Sequence, residues 1–340
     1  MKGSPGLATT VIAWQRQHGR HGLPWHGSRD PYRVWLSEVM LQQTQVVTVL
    51  DYYARFLARF PDVAALAAAP LDDVLASWSG LGYYSRARNL HRCAQAVMAE
   101  HGGAFPSSAA ALATLPGIGR STAAAIAAFC FGERAAILDG NVKRVLTRAL
   151  GFADDLAEAR HERSLWVLAE ALLPAQGIEA YTQGLMDLGA TVCLIRRPHC
   201  DACPLRAGCV AQAQGRPEAY PVKTRKLKRS RRAHALLWLQ QADRVWLQQR
   251  PARGVWAGLW SLPEADGLRD WECRVSAWPG GGGPLPAFVH VLTHVDWTLT
   301  PLQWRLPDDA PAPDLPGRWF TVDEALQLGL PAPIRKLLSR

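Results

Sequence analysis

The sequence predicts two domains: an all-α domain over residues 1–215 and an α+β domain over 233–340, joined by a basic linker at 216–232. Three observations carry that expectation. Ala-rich segments with a 3.6-residue apolar period recur through the first two hundred residues and then stop. Beyond residue 232 the texture changes to short β-branched and aromatic runs broken by Gly and Pro. Finally, 340 residues with 49% hydrophobic side chains and 14 Trp are too many for one core and enough for two.

In the first domain the periodicity predicts helices over 7–18, 31–58 with a break, 63–77, 84–101, 107–114, 121–131, 140–150, 155–173 and 180–191. Asp30-Pro31 marks a helix start, with Asp at the cap and Pro in the first turn. Pro70, Gly80-Leu81-Gly82, Gly102-Gly103 and Pro116-Gly117 separate the segments. In the second domain AHALLWLQ and RVWLQQR read as a hairpin joined through Gln241-Ala242-Asp243. The Gly/Pro-rich stretch 278–286 reads as a loop. FVHVLTHVDWTLTPLQWRL reads as a strand pair, and TVDEALQL and APIRKLLSR as short closing helices.

The formal net charge is +9, and its distribution is uneven. Residues 216–232 hold 8 basic side chains and 1 acidic one, whereas 233–340 hold 10 basic and 11 acidic. A run such as PVKTRKLKRSRR suits a polyanion, and equally a solvated linker. No apolar run is long enough to cross a membrane, and MKGSPGLATT has no hydrophobic signal region, so a soluble cytoplasmic protein without a membrane partner is expected.

Cys193, Cys200, Cys203 and Cys209 stand in the run CLIRRPHCDACPLRAGC. Four thiolates this close can wrap one metal centre, and both zinc and a cubane iron–sulfur cluster accept four thiolates. Structural zinc draws its ligands from two close pairs separated by a longer excursion. Here three ligands fall within one ten-residue stretch at the end of a helical segment, which favours a compact cluster. Disulfides are not expected in an intracellular chain. Cys93, Cys130 and Cys273 lie in apolar contexts and are expected to be buried.

Three further stretches can carry chemistry. In LPGIGRSTAAAIAAFCF, at 115–131, Gly117 and Gly119 permit a tight turn before a helix. This reads as a helix–hairpin–helix over 109–131, whose exposed N–H groups would hold a DNA phosphate without reading sequence. In ILDGNVKRVLTRAL, Asp139 directly precedes a helix. It reads as an N-cap, or as a carboxylate held in position to stabilise a developing cation. In DPYRVWLSEVMLQQTQVVTVL, Glu38 is flanked by Val34, Trp35, Leu36, Val39, Met40 and Leu41. Apolar surroundings raise a carboxyl pKa and prepare a general acid, although an amphipathic helix would instead turn Glu38 to solvent. Gln42 lies at i+4 from it.

LPGIGRSTAAA, ILDGNVKRV and the four-cysteine run resemble the helix–hairpin–helix DNA glycosylase superfamily that carries a 4Fe–4S cluster. Within it, LPWHGSRDPYRVWLSEVMLQQTQV, GLGYYSRARNLH and GLMDLGATVC resemble the adenine DNA glycosylase (MutY) family, over essentially the whole chain. The resemblance implies one 4Fe–4S cluster on Cys193, Cys200, Cys203 and Cys209, within a loop over 193–209. It implies that the partner is duplex DNA containing adenine opposite 8-oxoguanine or guanine, bound by a monomer in a bacterial, nucleoid-associated setting. The target base leaves the duplex. Glu38 would protonate N7 of the flipped adenine, and Asp139 would stabilise the cationic sugar, the two-carboxylate logic of sugar hydrolysis. Trp25 and Asp187 would shape the adenine pocket. Leu41, Gln42 and Tyr83 would wedge into the stack around the opposite base, and Gly117, Gly119, Arg196 and Arg197 would meet the DNA backbone.

In related lyases the position matching Ser121 is a lysine that attacks the sugar; a serine cannot form that Schiff base, so a monofunctional glycosylase is expected. RPARGVWAGLWSLPE, at 250–264, resembles the opening of a Nudix fold, but ADGLRDWECRVSAW lacks the paired glutamates that bind magnesium, so pyrophosphate hydrolysis is not expected. In this family the domain reads 8-oxoguanine through a Phe-Ser-His loop. The matching residues are Leu292, Thr293 and His294, which keep the hydroxyl and the imidazole and lose the aromatic ring. Two other readings stand beside this one: a bifunctional glycosylase–lyase acting on oxidised pyrimidines, and a non-catalytic DNA- or nucleotide-binding protein.

Overall fold

Helical periodicity in the first two hundred residues becomes helices at nearly every expected place. A computed structural model describes residues 6–224 and 228–339. The principal helices are Leu7–His18, Pro31–Leu41, Val46–Arg59, Ser85–His101, Arg120–Phe131, Gly140–Leu150, Ala159–Ala171 and Ile178–Asp187. The stretch expected as one helix over 63–77 is two, Val63–Ala68 and Leu71–Ser77, because Pro70 takes an extended backbone and begins the second. The segment around 107–114 shortens to Ala109–Leu112. The last helix continues through a π-helical turn, Leu188–Val192, directly into Cys193.

The chain forms two compact units: residues 1–67 with 92–226, and residues 68–91 with 227–340. The division departs from the linear one at 215 because residues 68–91 are claimed by C-terminal partners. Tyr84 donates its hydroxyl hydrogen to the Leu330 carbonyl (3.0 Å), Trp260 donates to Asp72 (3.2 Å), and a Cβ on Gly329 would stand 2.9 Å from Leu75 Cβ. Arg225, Lys226 and Leu227 of the basic linker lie outside the described residues.

The core of the first unit is built around Arg120–Phe131 and Gly140–Leu150, with Val11, Leu165, Tyr181, Leu185 and Leu188 among its buried members. Ala123 to Ala128 are all buried. A face of methyl groups lets neighbouring helices approach closely, which brings the backbone on either side of the chemistry-bearing turns together.

The second unit is a mixed sheet of eight strands: β1 (Ser230–Gln241), β2 (Arg244–Gln249), β3 (Trp260–Ser261), β4 (Glu264–Ala265), β5 (Gly281–Pro284), β6 (Phe288–Val291), β7 (Val295–Leu306) and β8 (Arg318–Thr321). β1 and β2 form the expected hairpin across Ala242-Asp243, where Ala242 takes φ 51°. β1 runs parallel to β7 over twelve residue pairs, Ser230 opposite Val295 through Gln241 opposite Leu306. The stretch read as a loop contains β5, antiparallel to β7. Glycine permits this: a Cβ on Gly282 would lie 1.9 Å from the Gln303 carbonyl oxygen. Helices Leu268–Val275, Val322–Leu326 and Ala332–Leu338 complete the unit. Cys93 and Cys130 are buried as expected, but Cys273 is exposed. Trp271 and Val275 form the buried face of its helix, and Cys273 falls between them on the other side. Among the described residues no helix is long and apolar enough to cross a membrane.

Candidate active site and cysteine centre

Helix Pro31–Leu41 starts as its sequence dictates. Asp30 accepts a hydrogen bond from the Tyr32 N–H (2.9 Å), and Pro31 fills the first turn. Tyr32, Val34, Trp35, Leu36, Ser37, Val39 and Met40 are all buried, so nearly the whole circumference faces protein. Glu38 is half-buried and lines a cleft of about 1380 Å³. Burial pushes its pKa up to about 7, and the nearby Asp139 charge adds to the shift. The helix ends at Leu41. Gln42 caps it with an extended backbone (φ −59°, ψ 110°) instead of continuing the Glu38 face. Leu41 and Gln42 both line the cleft mouth.

Asp139 reaches the same cleft from another direction. Its Oδ1 accepts from the Val142 N–H (2.7 Å) and caps helix Gly140–Leu150. Burial raises its pKa, while the Val142 and Asn141 N–H groups pull it back down. The N-cap and cleft-carboxylate readings thus describe one side chain doing both. Ser121 supports it. Its Oγ accepts from the Leu138 N–H (2.9 Å) and ties the chain entering Asp139 to helix Arg120–Phe131. Gly117 takes φ +77°, and Gly119 caps that helix without a side-chain hydrogen bond, leaving its first N–H groups open to an anion.

Trp25 is buried in the cleft wall, edge-on to Tyr53 (5.2 Å between ring centroids). Asp187 is not on that wall. It is fully buried, pairs with Arg20 Nε (2.7 Å), and accepts from the Arg20 backbone N–H (2.9 Å) and Gln183 Nε2 (2.8 Å). Arg20 and Gln183 line the cleft in its place. His26 is a further cleft residue that sequence reasoning missed. Among the described residues its Nδ1 has no hydrogen-bond partner, and burial lowers its pKa, so the imidazole is neutral at pH 7. The only sequence signal for these two is their place beside Trp25 and one helical turn before Asp187.

The four cysteines line one small cavity, with Arg148, Val192, Pro198 and Pro217 among its other walls. Burial pushes Cys203 up to about 11 and also raises Cys200. Two arginines of the Asp139 helix hold this loop. Arg144 donates to the carbonyls of Cys193 (2.6 Å) and Gly189 (2.6 Å). Arg148 donates to Cys193 Sγ (3.3 Å) and to the carbonyls of Leu194 (2.6 Å), Ile195 (3.0 Å) and Tyr220 (3.2 Å). Arg196 and Arg197 are exposed at the loop surface, and the Arg197 N–H donates to Glu218 (2.8 Å).

In the second unit Tyr84 is buried and Tyr83 is 45% exposed, at φ 48°. The Tyr83 hydroxyl lies 2.8 Å from Thr293 Oγ1. Leu292, Thr293 and His294 form the turn between β6 and β7. The Leu292 N–H donates to Val295 (2.8 Å), and the His294 carbonyl accepts from the Ser230 N–H (3.0 Å). Thr293 and His294 are exposed, and Leu292 is half-buried.

Comparison with known proteins matches this geometry. A family model described as an HhH-GPD superfamily base excision DNA repair protein covers residues 36–171, and one described as a NUDIX domain covers 234–340. An adenine DNA glycosylase of Buchnera aphidicola (Acyrthosiphon pisum) is 33% identical over 97% of this chain and 95% of its own. The mouse adenine DNA glycosylase is 34% identical over 97% of this chain and 76% of its own. Among solved structures, a thermostable thymine-DNA glycosylase superposes with a TM-score of 0.55 at 28% identity, over 61% of this chain and 95% of its own.

Proposed function

Because this chain belongs to the adenine DNA glycosylase family, hydrolases that cleave N-glycosidic bonds, we propose that it excises adenine mispaired with 8-oxoguanine, or with guanine, by base flipping and acid catalysis. The observation that carries this is Glu38, a carboxyl raised to about 7 that faces a cleft shared with Asp139.

A group with a pKa near the working pH is both protonated often enough and acidic enough to give its proton up. Glu38 would place that proton on N7 of an extruded adenine and turn the base into a better leaving group. As the glycosidic bond lengthens, positive charge grows on the sugar. Asp139, fixed by the helix N-terminus, supplies the opposing charge without reorganising, and water then adds to the anomeric carbon and gives its proton to the Glu38 carboxylate, restoring the acid. Trp25 offers a flat apolar wall, and Arg20, Gln183 and His26 offer the polar edge. Asp187 acts through Arg20 and Gln183 by holding them in place. Ser121 carries no amine, so strand cleavage is not part of the reaction.

The cysteine site fits a 4Fe–4S cluster. Cys193, Cys200, Cys203 and Cys209 line one cavity, and four thiolates from one loop are the donor set that would hold such a cluster. When bound, the cluster supplies structure to the loop that carries Arg196 and Arg197. Through Arg144 and Arg148 that loop is tied to the helix headed by Asp139. In the second unit Thr293 and His294 are proposed to read the base opposite the adenine, with Tyr83 as its stacking wedge.

The test is a labelled duplex carrying adenine opposite 8-oxoguanine, incubated under single-turnover conditions and divided. Cleavage only after hot alkali, lost in Glu38→Gln, supports the proposal. Equal cleavage without alkali means a lyase, and tight binding with no cleavage in either portion means a binding protein.

A further inference from the structure

One face of the C-terminal sheet is covered over only part of its length. Where Ala235, Leu237 and Leu239 of β1 lie, helix Leu268–Val275 packs against it through Trp271 and Val275. The pairing register carries the same face beyond the helix. Arg231 stands opposite Asp296 and Ala233 opposite Thr298, while Val291 and Val289 of β6 stand opposite those same β7 residues. The two-residue period of a strand keeps these side chains on one side. There the face is open: Val289 is 59% and Val291 61% exposed, and Arg231 and Ala233 are exposed as well. Arg229 pairs with Asp296 and donates to the Leu292 carbonyl (3.1 Å), binding this end of the sheet to the β6–β7 turn.

We propose that this open sheet end is a second DNA-contacting surface of the C-terminal unit. Arg231 would sit on a backbone phosphate, and Val289 and Val291 would lie against the adjoining deoxyribose. The inference rests on the proposed function above and extends it. Two observations select DNA as the occupant. The surface is continuous with the turn Leu292–His294, which ends the very strand that bears the valines. It also lies where Lys228, Arg229, Arg231 and Arg232 lead into the sheet as four basic residues within five positions, while 233–340 are nearly balanced at 10 basic and 11 acidic side chains. A surface of this composition places cations beside a polyanion and apolar groups beside sugars, fixing register without reading sequence. A second copy of the chain fits less well, because a stable dimer buries about 800 Å² per partner and this patch is only a few side chains wide.

The full-length chain tests it, in Arg231→Gln and in the double variant Val289→Thr with Val291→Thr. Threonine keeps the β-branch, so the strand is retained. The probe is a labelled duplex carrying adenine opposite 8-oxoguanine, titrated at several salt concentrations. Arg231→Gln is expected to lower the slope of log affinity against log salt by about 0.9, the value for one phosphate contact. The threonine pair is expected to weaken binding by roughly 3- to 10-fold with the slope unchanged, the size of a lost apolar contact. Wild-type affinity and slope in both variants, with wild-type protein still excising adenine from the same duplex, would overturn the surface and leave the proposed function standing. Failure of the wild-type chain to bind or excise would overturn both. A wild-type dimer in sedimentation that the threonine pair dissociates would assign the face to a second copy instead.

Discussion

The Tyr83 hydroxyl and Thr293 Oγ1, 210 positions apart in sequence, lie 2.8 Å from each other within one unit. One residue was expected to wedge into DNA and the other to read the lesion; the structure makes them neighbours. Tyr83 holds φ 48°, a left-handed backbone that a bulky side chain adopts only when its surroundings impose it. The Arg86 guanidinium lies 5.6 Å from its ring centroid and 5.3 Å from that of Trp78, and Arg86 donates to the carbonyls of Leu81 and Gly82. The aromatic ring is therefore set before any substrate arrives.

Tyr83→Phe keeps the ring and removes the hydroxyl. A hydrogen bond between neutral groups is worth about 1 kcal/mol net. The variant is expected to narrow the ratio of excision rates opposite 8-oxoguanine and opposite guanine by roughly fivefold. In a Thr293→Val background the same change should do little more, because the shared bond is already gone. Additive effects in that cycle would refute the coupling.

As the proposed acid, Glu38 is expected to set the pH dependence of excision. With a pKa of about 7, the single-turnover rate should fall tenfold per unit on the alkaline side of that value. Its stability effect has a definite sign. The folded-state pKa lies above the ordinary carboxylate value, so the contribution is fully present below about pH 4.5 and is lost as pH rises through about 7. Glu38→Gln is expected to unfold at higher denaturant than wild type at pH 8, by up to about 3 kcal/mol, and equally at pH 4. Its excision rate should be abolished at both.

Asp139→Asn separates the two jobs of that side chain. Asparagine caps a helix about as well as aspartate, so stability should change by less than about 0.5 kcal/mol. The charge opposing the cationic sugar is lost, and single-turnover excision should fall by at least about 100-fold. A rate within tenfold of wild type would show that Asp139 is only a cap.

Ser121→Lys places an amine beside Asp139 in the cleft. Alkali-independent strand cleavage, with a product trapped by borohydride, is the expected gain. The Leu138 N–H then loses its acceptor, at a cost of roughly 1–3 kcal/mol, visible as a lower unfolding midpoint.

Arg148→Gln removes the guanidinium that binds Cys193 and the carbonyls of Leu194 and Ile195. Iron and sulfide content should drop along with DNA affinity, whereas Arg160→Gln, whose exposed guanidinium pairs with Glu158, should retain both. Full iron in Arg148→Gln with weakened binding would assign Arg148 to DNA directly.

The local architecture was legible because it is written in short-range chemistry. Asp30-Pro31 starts a helix wherever that helix ends up, and Asp139 caps Gly140–Leu150 through a neighbour three residues on. The four cysteines fall within seventeen residues, and they surround one cavity. What sequence left open depended on which face meets which neighbour. A helix buried at Val34, Trp35, Leu36, Ser37, Val39 and Met40 sets Glu38 in desolvated surroundings, and that burial comes from the elements around it. Asp187 reads as a wall of the adenine pocket until Arg20 and Gln183 take up its oxygens. The glycine run at 281–284 reads as a loop until β7 supplies hydrogen-bond partners. Residues 68–91 read as part of the helical domain until Leu330 and Trp260 claim Tyr84 and Asp72. By itself the sequence determined the caps, the principal helices and the family. Tertiary structure alone decided the burial that tunes Glu38 and the pairing of Tyr83 with Thr293, because desolvation and long-range contacts exist only once distant segments exclude water from one another.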